Sequence, residues 1–358
     1  MQMRTPTLNR AVFRELGYTF SLTLVLSCTV LLFESLFRIM QLSEGIPTRD
    51  VLKLIVYIQP SFLVLGIPMS LLITILVVYS RMTMDNETIS LLSLGMPFSI
   101  IARPAFRFSA LCLVLALAVS LYFFPLSNRL FRETLYNAMS RHFSIDPGMI
   151  NDQFPDLLFQ ANVKHDERTF GDLFLYNTKD PEHPVIVTAR AGQIFSDPER
   201  RVFQFMLEDG DVHVNPTEGS YTYLTFGRYY MEFNVAGTGP DFGGTEMYIP
   251  ELWRAANEGP EEIRLKRAAQ FHKRFALPVS CLLLGFLAPS LAGFVGRAGR
   301  LGGFVVALAV ILGYYALLVL GESLARSGTA PPGLVVWGAN VLLGTAGLAL
   351  HRWKSRVH

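Results

Sequence analysis

Six long windows of this chain contain no Asp, Glu, Lys or Arg: Leu16 to Phe33 (18 residues), Leu54 to Ser80 (27), Phe108 to Asn128 (21), Phe275 to Gly296 (22), Leu301 to Gly321 (21) and Ser327 to Leu350 (24). A hydrocarbon layer about 30 Å thick is crossed by roughly 20 apolar residues of helix rising 1.5 Å each, so every window is near or above spanning length. The windows fall three and three around residues 129–274, where no charge-free stretch exceeds nine residues. The fold class this implies is an α-helical membrane protein with six transmembrane helices (3+3) and one inserted soluble domain.

Charge follows the same division. Of the 60 charged residues, 38 lie in the 146 residues from Arg129 to Arg274, with 16 basic and 22 acidic, a formal −6. The remainder holds 15 basic and 7 acidic residues, a formal +8. A nucleic-acid footprint would gather Lys and Arg on the soluble part, and here they avoid it, which excludes nucleic-acid binding. Cys28, Cys112 and Cys281 each sit in an apolar window and act there as small hydrophobes, so they supply neither a disulfide framework nor a metal cluster.

Orientation is read from the basic residues flanking the helices. A cytoplasmic N-terminus gives that side eleven, from Arg4, Arg10 and Arg14 through Arg81, Arg103 and Arg107 to Arg352, Lys354 and Arg356. The opposite short loops hold only Arg38, Arg49, Lys53 and Arg326. The positive-inside bias therefore places both termini in the cytoplasm and the insert outside. Arg264, Lys266, Arg267, Lys273 and Arg274 run against the bias, but they follow a long translocated domain, where it loses force. The first window is too long for a signal peptide and a second span follows at once.

The expected domains are 1–128 (transmembrane helices 1 to 3, with a short loop helix at about 85–95), 129–249 (a periplasmic β-jelly-roll domain) and 250–358 (a return helix and transmembrane helices 4 to 6). Span 2 carries Pro60, Gly66 and Pro68, which free backbone carbonyls and bend the helix unless neighbours satisfy them. Between spans 2 and 3, Asp85 or Asn86 is suited to N-cap a short helix. Ile89, Leu91, Leu92 and Leu94 give it an apolar face, and Gly95 with Pro97 stops it. In the insert, short runs rich in Val, Phe and Tyr (157–163, 172–177, 184–189, 201–207, 211–214, 221–226 and 229–235) alternate with DPER, EDGD and NPTEGS clusters, the spacing of an antiparallel sandwich or jelly roll. A return helix follows over about Pro250 to Arg274. Glycines in the last two windows, among them Gly302, Gly303, Gly313 and Gly344, favour close helix packing in lipid.

Catalytic signatures are missing from the sequence. It contains no GxxxxGK[ST] loop, HExxH, CxxC or GxSxG elbow, so the chain reads as a non-catalytic protein without cofactor or metal. The glycines from Gly293 to Gly303 lack the preceding strand of a dinucleotide site, and Asn86-Glu87-Thr88 is a chance sequon on the cytoplasmic side. Two acid/base pairs remain near the membrane: Glu34 with Arg38 closing span 1, and Glu322 with Arg326 closing span 5, each four residues apart on one helix face. Interfacial snorkelling accounts for such pairs, and so does a polar pathway or an anionic ligand within the bundle. Glu87 reads either as a solvated helix start or as a contact point for a partner.

In order, ESLFRIM (34–40), DNETISLLSLGM (85–96), DPGMINDQF (146–154), EMYIPELW (246–253) and RFALPVS (274–280) resemble the LptF/LptG family of lipopolysaccharide export permeases, the LptF side in particular. The resemblance implies a permease subunit of an ABC-type exporter in the bacterial inner membrane, paired with an LptG-like chain above an LptB-like ATPase dimer. It makes the 85–95 helix a coupling helix whose contacts to the ATPase involve Glu87, Asp85 and Arg81. It places Arg38, Glu34, Glu322 and Arg326 along the lipid pathway, and it makes the β-domain the exit for lipopolysaccharide toward an LptC-like partner. Alternatives are a mechanotransmission subunit or a permease for lipoprotein or another lipid, and a membrane-anchored periplasmic sensor or structural protein. A secondary transporter would need charged or broken helices at the bilayer midplane, and the mid-span positions lack charge.

Overall fold

The computed structural model describes residues 5–42, 47–142, 147–154, 157–166, 169–177, 185–197, 202–214, 222–233, 242–295 and 299–357. Six of its helices have a segment long and apolar enough to cross a membrane: Asn9–Phe33, Thr48–Met84, Phe98–Ala138, Glu261–Gly293, Gly302–Arg326 and Pro332–Trp353. The chain is a multi-pass membrane protein. Three spans precede an antiparallel sheet and three follow it, as the charge-free windows require.

The first three spans belong to α1 (Thr5–Leu42), α2 (Thr48–Met84) and α4 (Phe98–Ala118), with the short α3 (Glu87–Ser93) between α2 and α4. A π-helical turn at Val119–Phe123 joins α4 to α5 (Phe124–His142). The sheet comprises β1 (Ile150–Phe154), β2 (Leu157–Lys164), β3 (Thr169–Asn177), β4 (Val185–Asp197), β5 (Val202–Val214) and β6 (Thr222–Phe233). After it come α6 (Phe242–Thr245), α7 (Ile249–Asn257), α8 (Glu261–Val295), α9 (Gly299–Arg326) and α10 (Pro332–Val357). The expected return helix is therefore divided. Gly259 takes a left-handed φ of 97° and Pro260 has no N–H to donate, so α7 ends there and α8 runs on unbroken into the fourth span.

By compactness the chain forms two units, residues 1–34, 58–128 and 243–358 in one, 35–57 and 129–242 in the other. Within the second, the all-β insert expected to be jelly-roll-like is a six-stranded antiparallel sheet in the sequential order β1-β2-β3-β4-β5-β6. Its core joins Phe159, Phe170, Leu175, Val187 and Phe205 to Leu135 and Tyr136 of α5 and Leu54 of α2. Two expected strand pairs are in fact single strands. The EDGD run at 208–211 does not turn: Asp209 adopts φ 50°, yet Ala191 still faces Glu208 and Ala189 faces Gly210, so β5 passes straight through. A Cβ at position 210 would strike the Thr188 carbonyl, so glycine is what lets the two backbones approach here. Likewise β6 continues through Gly227, and β1 is a strand that the sequence pattern left unassigned. The DPER and NPTEGS clusters fall largely outside the described residues.

The first unit has a core of its own, in which Ile67, Leu71, Ile75, Tyr79, Ile101 and Ala288 are buried together. The spans share it unequally: 67% of the apolar window of α8 is buried in the bundle, against 11% for α1. Three of the prolines inside these helices have a side-chain donor from elsewhere in the bundle at, or next to, the carbonyl they strip. Pro278 removes the N–H that would reach the Arg274 carbonyl, and Ser120 Oγ of the π-turn donates to that oxygen at 2.9 Å. Next to the carbonyls that Pro104 and Pro68 strip in the same way, Tyr79 donates to Ile101 O at 2.9 Å and Tyr315 to Leu65 O at 3.0 Å.

Candidate functional site

The helix α3 is defined at its end by an unambiguous stop. Gly95 takes φ 80°, its N–H bonds to Leu92 O at 2.9 Å, and the Met96 N–H bonds to Leu91 O at 3.2 Å, the pair of contacts that makes a Schellman turn. At its start Asn86 occupies the N-cap with φ 58°, but its side chain makes no capping bond, so the expected cap is a backbone one, with Ser90 N–H on Asn86 O at 2.9 Å. The expected apolar face divides. Leu91 and Leu92 pack on the main core, whereas Ile89 and Leu94 are exposed.

At the root of this helix Arg81 gathers three carboxylates. Its Nε and Nη2 donate to Glu15 Oε1 and Oε2 at 2.8 and 2.9 Å, while Nη1 donates to Asp85 Oδ2 at 3.0 Å and Glu87 Oε1 at 3.2 Å. The structure thus brings Arg81, Asp85 and Glu87 together and adds Glu15 of α1. Nothing in the sequence marked Glu15, which lies 66 residues from its partner. One cation against three anions gives the cluster a formal charge of −2.

A second cluster closes α9. Glu322, buried, accepts from Lys273 Nζ at 2.7 Å and from Arg326 Nη2 at 2.7 Å. The expected pair with Arg326 is formed. Lys273 is the partner the sequence could not supply, since it comes from α8, 49 residues away. An intramembrane carboxylate is expensive unless paired, and here two cations surround it, leaving the cluster a formal +1. The side chains of Glu34 and Arg38, in the last turns of α1, lie outside the described ones.

Two further features were missed. Arg274, 5% exposed, donates from Nη1 to Met247 O at 2.5 Å and from Nη2 to Gly244 O at 2.8 Å and Thr245 O at 3.0 Å; its guanidinium also lies 5.5 Å from the Phe124 ring. It fastens α6 and the segment before α7 to the middle of α8. Between α1 and α2 runs a seam of hydroxyls: Thr23 and Thr74 are 3.0 Å apart, and Ser70 donates to Ser27 at 3.4 Å. Among the described residues no group of His, Cys, Asp and Glu is placed to hold a metal.

No match is found among curated proteins. The family described as "Lipopolysaccharide export system permease LptF/LptG" matches residues 10–353, a span that takes in all six membrane helices, the sheet and both clusters. The chain belongs to the LptF/LptG family of lipopolysaccharide export permeases.

Proposed function

We propose that this chain is the LptF-type half of an ABC exporter that extracts lipopolysaccharide from the inner membrane and passes it to a periplasmic bridge. In this reading the domains are 1–128, 129–249 and 250–358, both termini are cytoplasmic, and the sheet is periplasmic. ATP is hydrolysed by an LptB-like dimer beneath the membrane, an LptG-like chain completes the pore, and an LptC-like protein receives the lipid from the sheet. The chain itself is non-catalytic.

The observation that carries this reading is α3. It offers a partner an acidic start, Asp85 and Glu87, beside the exposed apolar side chains Ile89 and Leu94, while Leu91 and Leu92 root it in the membrane core. That is the layout of a docking helix, with specificity from charge and affinity from apolar contact. The exposed apolar residues of α1 (Tyr18, Leu22, Val25, Leu26) and of α9 (Val305, Leu312, Val319) support the assignment of those spans to a lipid-lined cavity. Extraction needs external work, because each buried methylene holds the lipid by about 0.8 kcal/mol.

Glu87→Lys tests the reading. Glu87 is half-exposed and Arg81 retains Glu15 and Asp85, so the variant folds. It is expected to lose both the co-purifying ATPase and lipopolysaccharide transport. Undiminished ATPase recovery with this variant would remove α3 from the docking site.

A further inference from the structure

A push on α3 does useful work only if the spans respond, and the geometry points to the residue pair that makes the first span respond. We propose that the Glu15–Arg81 fork ties α1 to the loop helix, with Glu15 as a positioning residue that makes α1 follow α3. The inference rests on the reading of α3 as the ATPase-docking helix.

Guanidinium is rigid and planar, and its edges are used here by different parts of the fold. The Nε/Nη2 edge holds Glu15 of α1 through two near-parallel bonds of 2.8 and 2.9 Å, the strongest geometry available to an arginine and a carboxylate. The Nη1 corner holds Asp85 and Glu87, at the start of α3, through single bonds of 3.0 and 3.2 Å. Because the group is stiff, displacing the anions at one corner turns the fork that grips α1.

The three anions are not equivalent. Glu15 has the least exposed side chain, at 35%, against 45% for Glu87 and 52% for Asp85, and it alone is bidentate. Two carboxylates share Nη1 through single bonds in a cluster whose formal charge is −2, so the Nη1 corner is the looser end of the guanidinium and the Glu15 fork the tighter one. Glu15 is also anchored on its own helix, since Val12 and Leu16 on either side of it are buried in the main core. Farther along, α1 is more lightly held: its apolar window is the least buried of the six, with the hydroxyl seam to α2 and the packing of Phe13 and Phe20 on Phe108 among its contacts. A single strong tie at its root therefore has leverage over its position.

The test measures lipid released per ATP hydrolysed by the purified, ATPase-bound complex in vesicles containing lipopolysaccharide, with a lipid-binding acceptor protein outside. Glu15→Gln keeps size and polarity but loses the charge that holds the fork. It is expected to co-purify with the ATPase and hydrolyse ATP at the wild-type rate while releasing about tenfold less lipid per ATP, within the range by which coupling-network substitutions act. Glu15→Asp leaves Arg81 and its contacts to Asp85 and Glu87 in place, keeps the charge one methylene short of its reach, and is expected to recover much of the ratio that Glu15→Gln loses. An unchanged ratio in Glu15→Gln, or no recovery in Glu15→Asp, overturns the tie while leaving the export reading in place. Loss of the ATPase from Glu15→Gln assigns the residue to assembly and also overturns the tie. A wild-type complex without ATP-dependent release overturns both.

Discussion

Ser120 Oγ donates, at 2.9 Å, to the backbone carbonyl of Arg274, the one oxygen in α8 that Pro278 deprives of its helical donor. The π-turn at Val119–Phe123 presents that hydroxyl, and the bond is buried in the bundle. Ser120→Ala is expected to lower stability by about 1 kcal/mol, the scale of interhelical hydrogen bonds in membrane proteins. If the bond exists to replace the missing N–H, the loss should shrink to a few tenths of a kcal/mol when Pro278→Ala restores that donor. A double-mutant cycle on unfolding in mixed detergent measures the coupling, and additive effects would contradict the replacement.

Arg274 itself carries more. Its guanidinium serves three backbone carbonyls, at Gly244, Thr245 and Met247, in a place with almost no access to solvent. Arg274→Met keeps the bulk and strands all three acceptors; at about 1–3 kcal/mol each the loss is expected to be about 3 kcal/mol or more. Arg274→Lys presents a compact point charge in place of a fork and is expected to recover about half of it. Limited proteolysis between α6 and α7, compared with the unfolding midpoint, locates the damage: cleavage there should accelerate before the spans come apart.

The membrane half of the fold is written in the sequence because the rule behind it is nearly binary: a charge-free run of spanning length has few alternatives in a chain of this composition. Helix stops such as Gly95 were equally legible, since a left-handed φ selects glycine. The sheet was legible only in kind. At EDGD three turn-forming residues sit inside β5, because the ladder on both sides outweighs the local preference for a turn, and Gly210 is there for backbone approach. The clusters divide in the same way. Arg326 four residues after Glu322, or Asp85 four after Arg81, is visible as a helix spacing, whereas Glu15 and Lys273 are brought in from other helices and no local pattern announces them.

Gly285 and Ser109 set the approach of α8 to α4. A Cβ at 285 would overlap the Ser109 side chain, both its Oγ and its Cβ. Gly285→Ala is therefore expected to destabilise the bundle by about 1–3 kcal/mol through overpacking. The Ser109 hydroxyl is buried and has no hydrogen-bond partner among the described residues, so Ser109→Ala alone should be nearly neutral. It should not rescue Gly285→Ala, because the Cβ remains. Ser109→Gly removes the whole obstruction and should recover most of the loss. Thermal unfolding of the four variants in detergent decides it, and rescue by alanine would mean that the overlap lies elsewhere.

Glu322 is the shared anion of a three-membered cluster, and that asymmetry fixes the order of its variants. Removing it with Glu322→Gln leaves Lys273 and Arg326 facing a neutral amide at the positions where each lay 2.7 Å from a carboxylate oxygen. Two like charges then meet where the carboxylate was only 11% exposed. Breaking a fully buried pair costs about 3–5 kcal/mol, and since both cations here are about one-third exposed the expected cost falls to about 2 kcal/mol. Lys273→Met leaves Glu322 still paired with Arg326, and Arg326→Met leaves it paired with Lys273, so each should cost about 1 kcal/mol or less. Lys273→Met added to Glu322→Gln removes the repulsion and should be more stable than Glu322→Gln alone, the opposite of what two independent losses would give. Unfolding midpoints at low and high salt provide the check: if the double variant is the less stable one, the cluster is not held by its central carboxylate.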